Sequence, residues 1–272
     1  MENKSVIYDG ACSLCIRSKN SLISLGFVKK EHVWAYQEMP DAHIPQVDYE
    51  RFRNEMALID LDGGPTMYGP EAISYLLSEK LSFLKRVFAI PLFYQIFAFI
   101  YRIVSYNRTA IIAPNSKKIR CASCEPDTPD NYRWLWISFA LGFSLLFSLI
   151  LGLFKLSSLT DANFYAGILG AFGLSFWLIK WRKENYLEIA AHVASLFLYG
   201  SILLSGGLWL MDNIWGDTYL IYWIPVFLFA FYLIYRDFKS RVDFLQLDIG
   251  EQILAALMLG IIFLISYLTL IF

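Results

Sequence analysis

Cysteine and histidine are scarce: four Cys and three His in 272 residues. So few thiols exclude a disulfide-dense secreted scaffold. Neither sign of charge dominates, because 23 Lys and Arg face 24 Asp and Glu. A net charge of −1 leaves no global basic field and excludes nucleic acid as the expected partner. The chain has no glycine-rich phosphate loop, no H-E-x-x-H and no G-x-S-x-G. Charge itself is thin, at 17% against about 25% in soluble domains. What is abundant is apolar surface: 57% of residues, above the usual ~45–50%, which excludes a disordered chain.

The charges that exist are unevenly placed. Residues 1–133 carry 31 of the 47, and 134–272 carry the remaining 16. Residues 134–154 contain none. A helix needs about 20 apolar residues to cross a bilayer core. Four further apolar runs follow, at 162–179, 189–211, 218–235 and 252–272. Helix is the open-chain solution in lipid, which offers no partners to exposed backbone. The expectation is an all-α membrane domain of about five transmembrane helices, 134–272.

The short loops set an orientation. Lys117, Lys118, Arg120, Arg133, Lys180, Arg182, Lys183, Arg236, Lys239 and Arg241 fall on one side and Lys155 alone on the other. The positive side is the cytoplasmic one, so the C-terminus is expected outside. Met1 is followed by Glu2-Asn3-Lys4 and a strand-like run rather than a long apolar segment. The first domain is therefore expected in the cytoplasm, at the inner membrane if the source is bacterial. Residues 87–101 form an uncharged run that is short for a span and broken by Pro91. It is read as one or two helices packed on the first domain or lying in the interface, with a sixth, re-entrant segment as the alternative.

Residues 1–110 read differently. Val6-Ile7-Tyr8 forms a short strand pattern and Gly10 a turn. A helical pattern runs from Cys12 to Leu25, with Gly26 placed to end it. Val33–Tyr36 and Met56–Leu61 read as strands, Gly63-Gly64 as a hairpin into Thr66-Met67-Tyr68, and 70–79 as a helix with Pro70 in its first turn. The order β-α-β-(loop or helix)-β-β-α is that of a thioredoxin-like α+β domain.

The chemistry sits at the first strand-to-helix junction. Cys12 and Cys15 are neighbours on one helical face. Cys12 lies at the expected helix N-terminus, where free N–H groups and the helix dipole favour a thiolate. Arg17 and Lys19 are candidates to add positive potential. Cys15, one turn in and expected to be the less exposed, would resolve a mixed disulfide. A C-x-x-C beside a β-α-β pattern is the mark of thioredoxin-like redox chemistry.

Tyr8-Asp9-Gly10-Ala11-Cys12-Ser13-Leu14-Cys15 resembles the signature of the DCC family of thiol-disulfide oxidoreductases, named for its Asp, Cys and Cys. Asp60–Gly63 with Gly69-Pro70-Glu71-Ala72 resembles that family's second block, Tyr101-Arg102 through Asn107-Arg108 its Tyr…Asn-Arg ending, and Cys124-Glu125-Pro126 a late Cys near Pro. The resemblance covers about residues 4–130. It implies a thioredoxin-like fold, Cys12 and Cys15 as the redox pair, and a role for Asp9. That role is either to accept a proton from Cys15 or to hydrogen-bond the turn presenting Cys12. Thioredoxins proper place a cis-proline before the third strand; here Glu55 precedes Met56 and no proline stands there.

The other two cysteines, Cys121 and Cys124, repeat the C-x-x-C spacing in the Pro-containing linker 111–133. They are read as a second redox pair, as half of a zinc site with Cys12 and Cys15, or as incidental. No cofactor is expected on the leading reading and zinc on the alternative. Glu188 and His192, i and i+4 in the third expected span, form a candidate intramembrane polar site, or else a helix-end Glu and a His bonded to a neighbouring helix. The expected activity is membrane-anchored thiol-disulfide exchange with a protein thiol or disulfide partner. The rivals are a non-enzymatic subunit of a membrane complex with a docking or redox-sensing domain, and a zinc-stabilised adaptor.

Overall fold

The computed structural model describes residues 3–113, 127–153, 186–215 and 223–247. The chain divides into two compact units, Met1–Tyr132 and Arg133–Phe272.

In the first unit, strand β1 (Lys4–Tyr8) leads into helix α1 (Ser13–Ser24) and strand β2 (Val33–Ala35). Two short 3-10 turns and helix α2 (Tyr49–Phe52) follow, where either a loop or a helix was expected. Strand β3 (Ala57–Asp60), strand β4 (Met67–Tyr68) and helix α3 (Gly69–Lys80) complete the order. The sheet runs β2-β1-β3-β4, with β1 parallel to β2 and the other pairs antiparallel. This arrangement agrees with a thioredoxin-like domain.

The period-two alternation of the central strands makes two cores. On one face Ile7, Ala57 and Ile59 pack with Met39, Phe52 and Tyr68. On the other, Val6 and Leu58 pack with Phe27, Val28, Ala72 and Leu76. Helix α1 ends where Gly26 takes a positive φ of 70°, the left-handed cap that glycine adopts without penalty. Pro70 stands in the first turn of α3, where a missing N–H costs nothing.

The apolar run 87–101 is divided between helix α4 (Ser82–Phe88) and helix α5 (Pro91–Tyr106), bent by 96°. Pro91 opens α5 rather than interrupting it. Helix α5 packs against α3 and leads into helix α6 (Arg108–Ile111).

The second unit is built of helices among its described residues: most of helix α7 (Asp130–Leu153), helix α8 (Tyr186–Trp215) and helix α9 (Trp223–Leu245). Helices α8 and α9 share a core at Leu196, Leu203, Ile234 and Phe238. The Trp136 indole N–H of α7 donates to Ser195 of α8 at 2.9 Å. The described residues support part of the five-span expectation. Among the described residues one stretch is long and apolar enough to cross a membrane, Tyr186–Leu203, or two if α4 and α5 together count as one bent span. Helix α9 runs on past the expected span end through Arg236, Asp237, Lys239, Arg241 and Asp243, too charged there to count as a further span. The expected spans 162–179 and 252–272 lie outside the described residues.

Candidate functional site

Cys12 is the N-cap of α1, with extended backbone, and its own sulfur caps the helix: Cys15 N–H donates to Cys12 Sγ at 3.2 Å. A helix N-terminus leaves its first N–H groups without partners. Here one of them is spent on the sulfur, which stabilises it most as a thiolate. Both cysteines are free thiols.

Their titrations are pushed apart. Cys12 is held below the ordinary thiol value, first by the hydrogen bond from the Cys15 side chain. Burial opposes this, and the Arg108 charge and the Cys15 backbone N–H reinforce it. Cys15 is pushed well above that value by the same hydrogen bond, by burial and by the charge on Cys12. Such a pair shares one proton, which favours Cys15 and leaves Cys12 the more readily ionised thiol. Cys12 as a residue is 7% exposed and Cys15 is half-buried. The N-cap position ties Cys12 N–H to the Asp9 carbonyl of the preceding turn.

That turn is fixed by Asp9, itself buried. Its Oδ1 accepts from Ala11 N–H at 2.9 Å and from Gln37 Nε2 at 3.1 Å, and its backbone oxygen accepts from Cys12 N–H at 3.2 Å. Its Oδ2 pairs with Arg108 Nη2 at 3.4 Å. Of the two roles open to Asp9, the geometry shows it bonded to the turn. Gln37 completes the clamp, accepting from Gly10 N–H at 3.0 Å. A side chain on Gly10 would meet Gln37 Oε1 at 2.9 Å and Ala35 Cβ at 3.1 Å and would displace the Gln37 amide from the clamp.

Arg108 supplies the positive potential expected of Arg17 and Lys19. Arg17 points into solvent, and Lys19 lies over the Tyr8 ring at 5.1 Å. Burial works against the Arg108 charge, but the negative potential of Cys15, Cys12 and Asp9 outweighs it and raises its pKa. A cavity of about 110 Å³ adjoins Cys15, lined also by Leu14, Glu55, Met56, Tyr101 and Arg108. Tyr101 from α5 accepts from Met56 N–H at 3.1 Å, at the strand start where a thioredoxin would carry its cis-proline. The described residues contain no cis peptide. Burial raises the half-buried Glu55 carboxyl, against the charges of Arg51 and Arg102.

Residues 6–113 match the family model described as DCC1-like thiol-disulfide oxidoreductase. The match takes in the whole clamp, from Asp9 to Arg108, and supports an oxidoreductase activity of this domain. It covers less than half of the chain and stops short of the second unit. No curated protein and no solved structure matches the chain.

Gln37 and the role of Arg108 were not singled out from the sequence. Arg108 stood in the Asn-Arg motif, but its reach to Asp9 could not be read there. Gln37 follows the strand parallel to β1, at the carboxyl end of the sheet where sites gather.

Cys121 and Cys124 lie outside the described residues, and with them the second redox pair and the four-thiolate zinc alternative. Among the described residues no three His, Cys, Asp or Glu side chains are grouped to hold a metal.

Glu188 and His192 are brought together in the second unit. His192 Nε2 lies 3.3 Å from Glu188 Oε1, and its Nδ1 lies 3.1 Å from Arg241 Nη1 of α9. Glu188 also accepts from Arg133, and Arg241 donates to Asp237 at 2.8 Å. His192, Arg133 and Arg241 are each at most 2% exposed. Among the described residues two cations face two carboxylates, and the cluster ties three helices together.

Proposed function

We propose that this chain is a membrane-anchored thiol-disulfide oxidoreductase whose attacking group is Cys12. The observation that carries this reading is the Cys15 N–H donated to Cys12 Sγ at the mouth of α1, beside the buried Arg108. In the reducing direction the Cys12 thiolate attacks one sulfur of a partner disulfide. A mixed disulfide forms and the partner's other sulfur leaves as a thiolate, which takes up a proton. Cys15 then loses its proton and attacks Cys12 Sγ. The Cys12–Cys15 bond closes, the second partner sulfur leaves, and two electrons have passed to the partner. Run backwards, the same steps oxidise a dithiol.

The anchoring rests on the charge-poor second half and on the apolar stretch Tyr186–Leu203. The five-span arrangement and the cytoplasmic placement of the thiols rest on the apolar runs and the asymmetry of basic loop residues. A protein thiol or disulfide is the substrate class.

Trapping tests the reading. The full chain carrying Cys15→Ser cannot resolve and should accumulate a partner on Cys12, released by dithiothreitol and absent when Cys12→Ser is added. If Cys12 neither forms that adduct nor reacts with glutathione disulfide, the catalytic reading fails. A docking or redox-sensing subunit is then the better account.

A further inference from the structure

Helix α5 has two committed faces. Its inner face belongs to the redox domain: Ala98 is buried, Tyr101 accepts from Met56 N–H, and Ser105 donates to the Asn54 carbonyl. Its outer face is apolar and bare. Leu92, Phe93, Ile96, Phe99 and Ile100 are between 46% and 64% exposed. With a period near 3.6 residues they fall on one stripe. Phe83 of α4, at 61%, and Ile90 at the bend are exposed as well. A contiguous apolar surface of this kind is not left to water in a soluble domain.

The charged side chains that the two helices themselves carry are of one sign. From Ser82 to Tyr106 there is no acidic residue, and the two helices carry Lys85, Arg86 and Arg102; Lys80, at the end of α3, donates to the Leu25 carbonyl instead. Lys85, Arg86 and Arg102 are exposed. A second copy docking stripe to stripe would set cation against cation. An anionic bilayer surface meets both requirements, taking the apolar side chains into its acyl boundary and the cations at its phosphates. Nor can α5 cross the bilayer. Its 16 residues rise about 24 Å, short of a core of about 30 Å, and its inner face is held by the domain.

We infer that α4 and α5 form an in-plane docking surface that seats the redox domain on a membrane rich in anionic phospholipid. The inference goes beyond the thiol chemistry and needs neither cysteine. Because α5 runs directly on to Arg108, seating it fixes the thiol pair at the membrane surface.

The test uses the full chain in nanodiscs of phosphatidylcholine containing phosphatidylglycerol with a photoactivatable diazirine acyl chain. Irradiation and peptide mapping should place lipid adducts on 92–100 as well as on 186–203. Phe93→Glu, Ile96→Glu and Ile100→Glu together should lower the α5 adducts by about tenfold and leave those on 186–203 unchanged. Lys85→Glu with Arg86→Glu should weaken labelling from phosphatidylglycerol more than from a diazirine phosphatidylcholine. Adducts confined to 186–203, or α5 peptides cross-linked to a second copy instead of lipid, would overturn the docking surface and leave the anchoring intact. Failure to enter nanodiscs at all would overturn both.

Discussion

Arg108 and Asp9, 99 residues apart in the chain, meet as a buried ion pair at 3.4 Å, and both side chains are under a tenth exposed. The pair joins the turn before Cys12 to the helix after α5. A buried pair is held by its geometry, and removing one partner strands the other charge at a cost of about 3–5 kcal/mol. Arg108→Ala should therefore unfold or loosen the domain. Arg108→Lys keeps the charge but loses the planar fork.

The thiol titration separates the causes acting on Cys12. The Cys15 side chain is the largest of them, and Arg108 acts in the same direction. Alkylation of Cys12 by iodoacetamide, followed by peptide mass across pH, reads its thiolate fraction. The inflection should move upward in Cys15→Ala, and by less in Arg108→Lys. An unmoved inflection in Cys15→Ala would refute the shared proton.

The opposed shifts also set a pH dependence of stability. Cys12 is lowered when folded, so between its folded value and the ordinary thiol value the unfolded chain binds more protons. Stability of the reduced protein then rises with pH and is lost as pH falls through the lowered value. Cys15 is raised, so above the ordinary value of about 8.5 the unfolded thiol ionises first and stability declines. Hydrogen exchange at the Leu58 and Ile59 amides of β3 reports the opening energy of this domain. It should show a mildly alkaline maximum, absent from Cys12→Ser/Cys15→Ser. Identical profiles for the two proteins would count against the shifts.

Much of the first unit was legible because local signals agreed with the fold. Alternation at Val6-Ile7 and Leu58-Ile59, the Gly26 cap and Pro70 at a helix start each have one cheap structural solution, and the chain adopts it. The Cys12 cap was legible for the same reason. Gln37 and Arg108 were not, because their work is done through contacts 27 to 99 residues away that no local pattern encodes. In the second unit composition marked apolar runs, yet α9 extends through a charged segment that a span rule cuts off.

Gly10 and Gln37 should prove energetically coupled. Gly10→Ala forces its new methyl against Gln37 Oε1 and Ala35 Cβ and should cost about 1–3 kcal/mol as overpacking. Gln37→Ala removes bonds to both Gly10 and Asp9 and should cost about 1–2 kcal/mol. In the double variant the first clash is gone, so the combined cost should fall below the sum. Exchange at the same β3 amides measures all three. Strict additivity would mean the clamp does not act as a unit.

The Arg133–Glu188–His192–Arg241 cluster carries the last prediction. If it is a clamp between helices, its energetics follow charge balance rather than chemistry. Glu188→Ala leaves Arg133 without its carboxylate and should destabilise the helical unit by about 3–5 kcal/mol. Arg133→Met with Glu188→Met removes both charges and should recover most of that loss. His192→Gln, which can still donate to or accept from its neighbours, should be mild. Unfolding of the purified chain in mixed detergent and SDS micelles, followed by far-UV circular dichroism, ranks the variants. A destabilisation in the double variant as large as in Glu188→Ala would show that the charges themselves are required, and the clamp account would give way to a site that uses them.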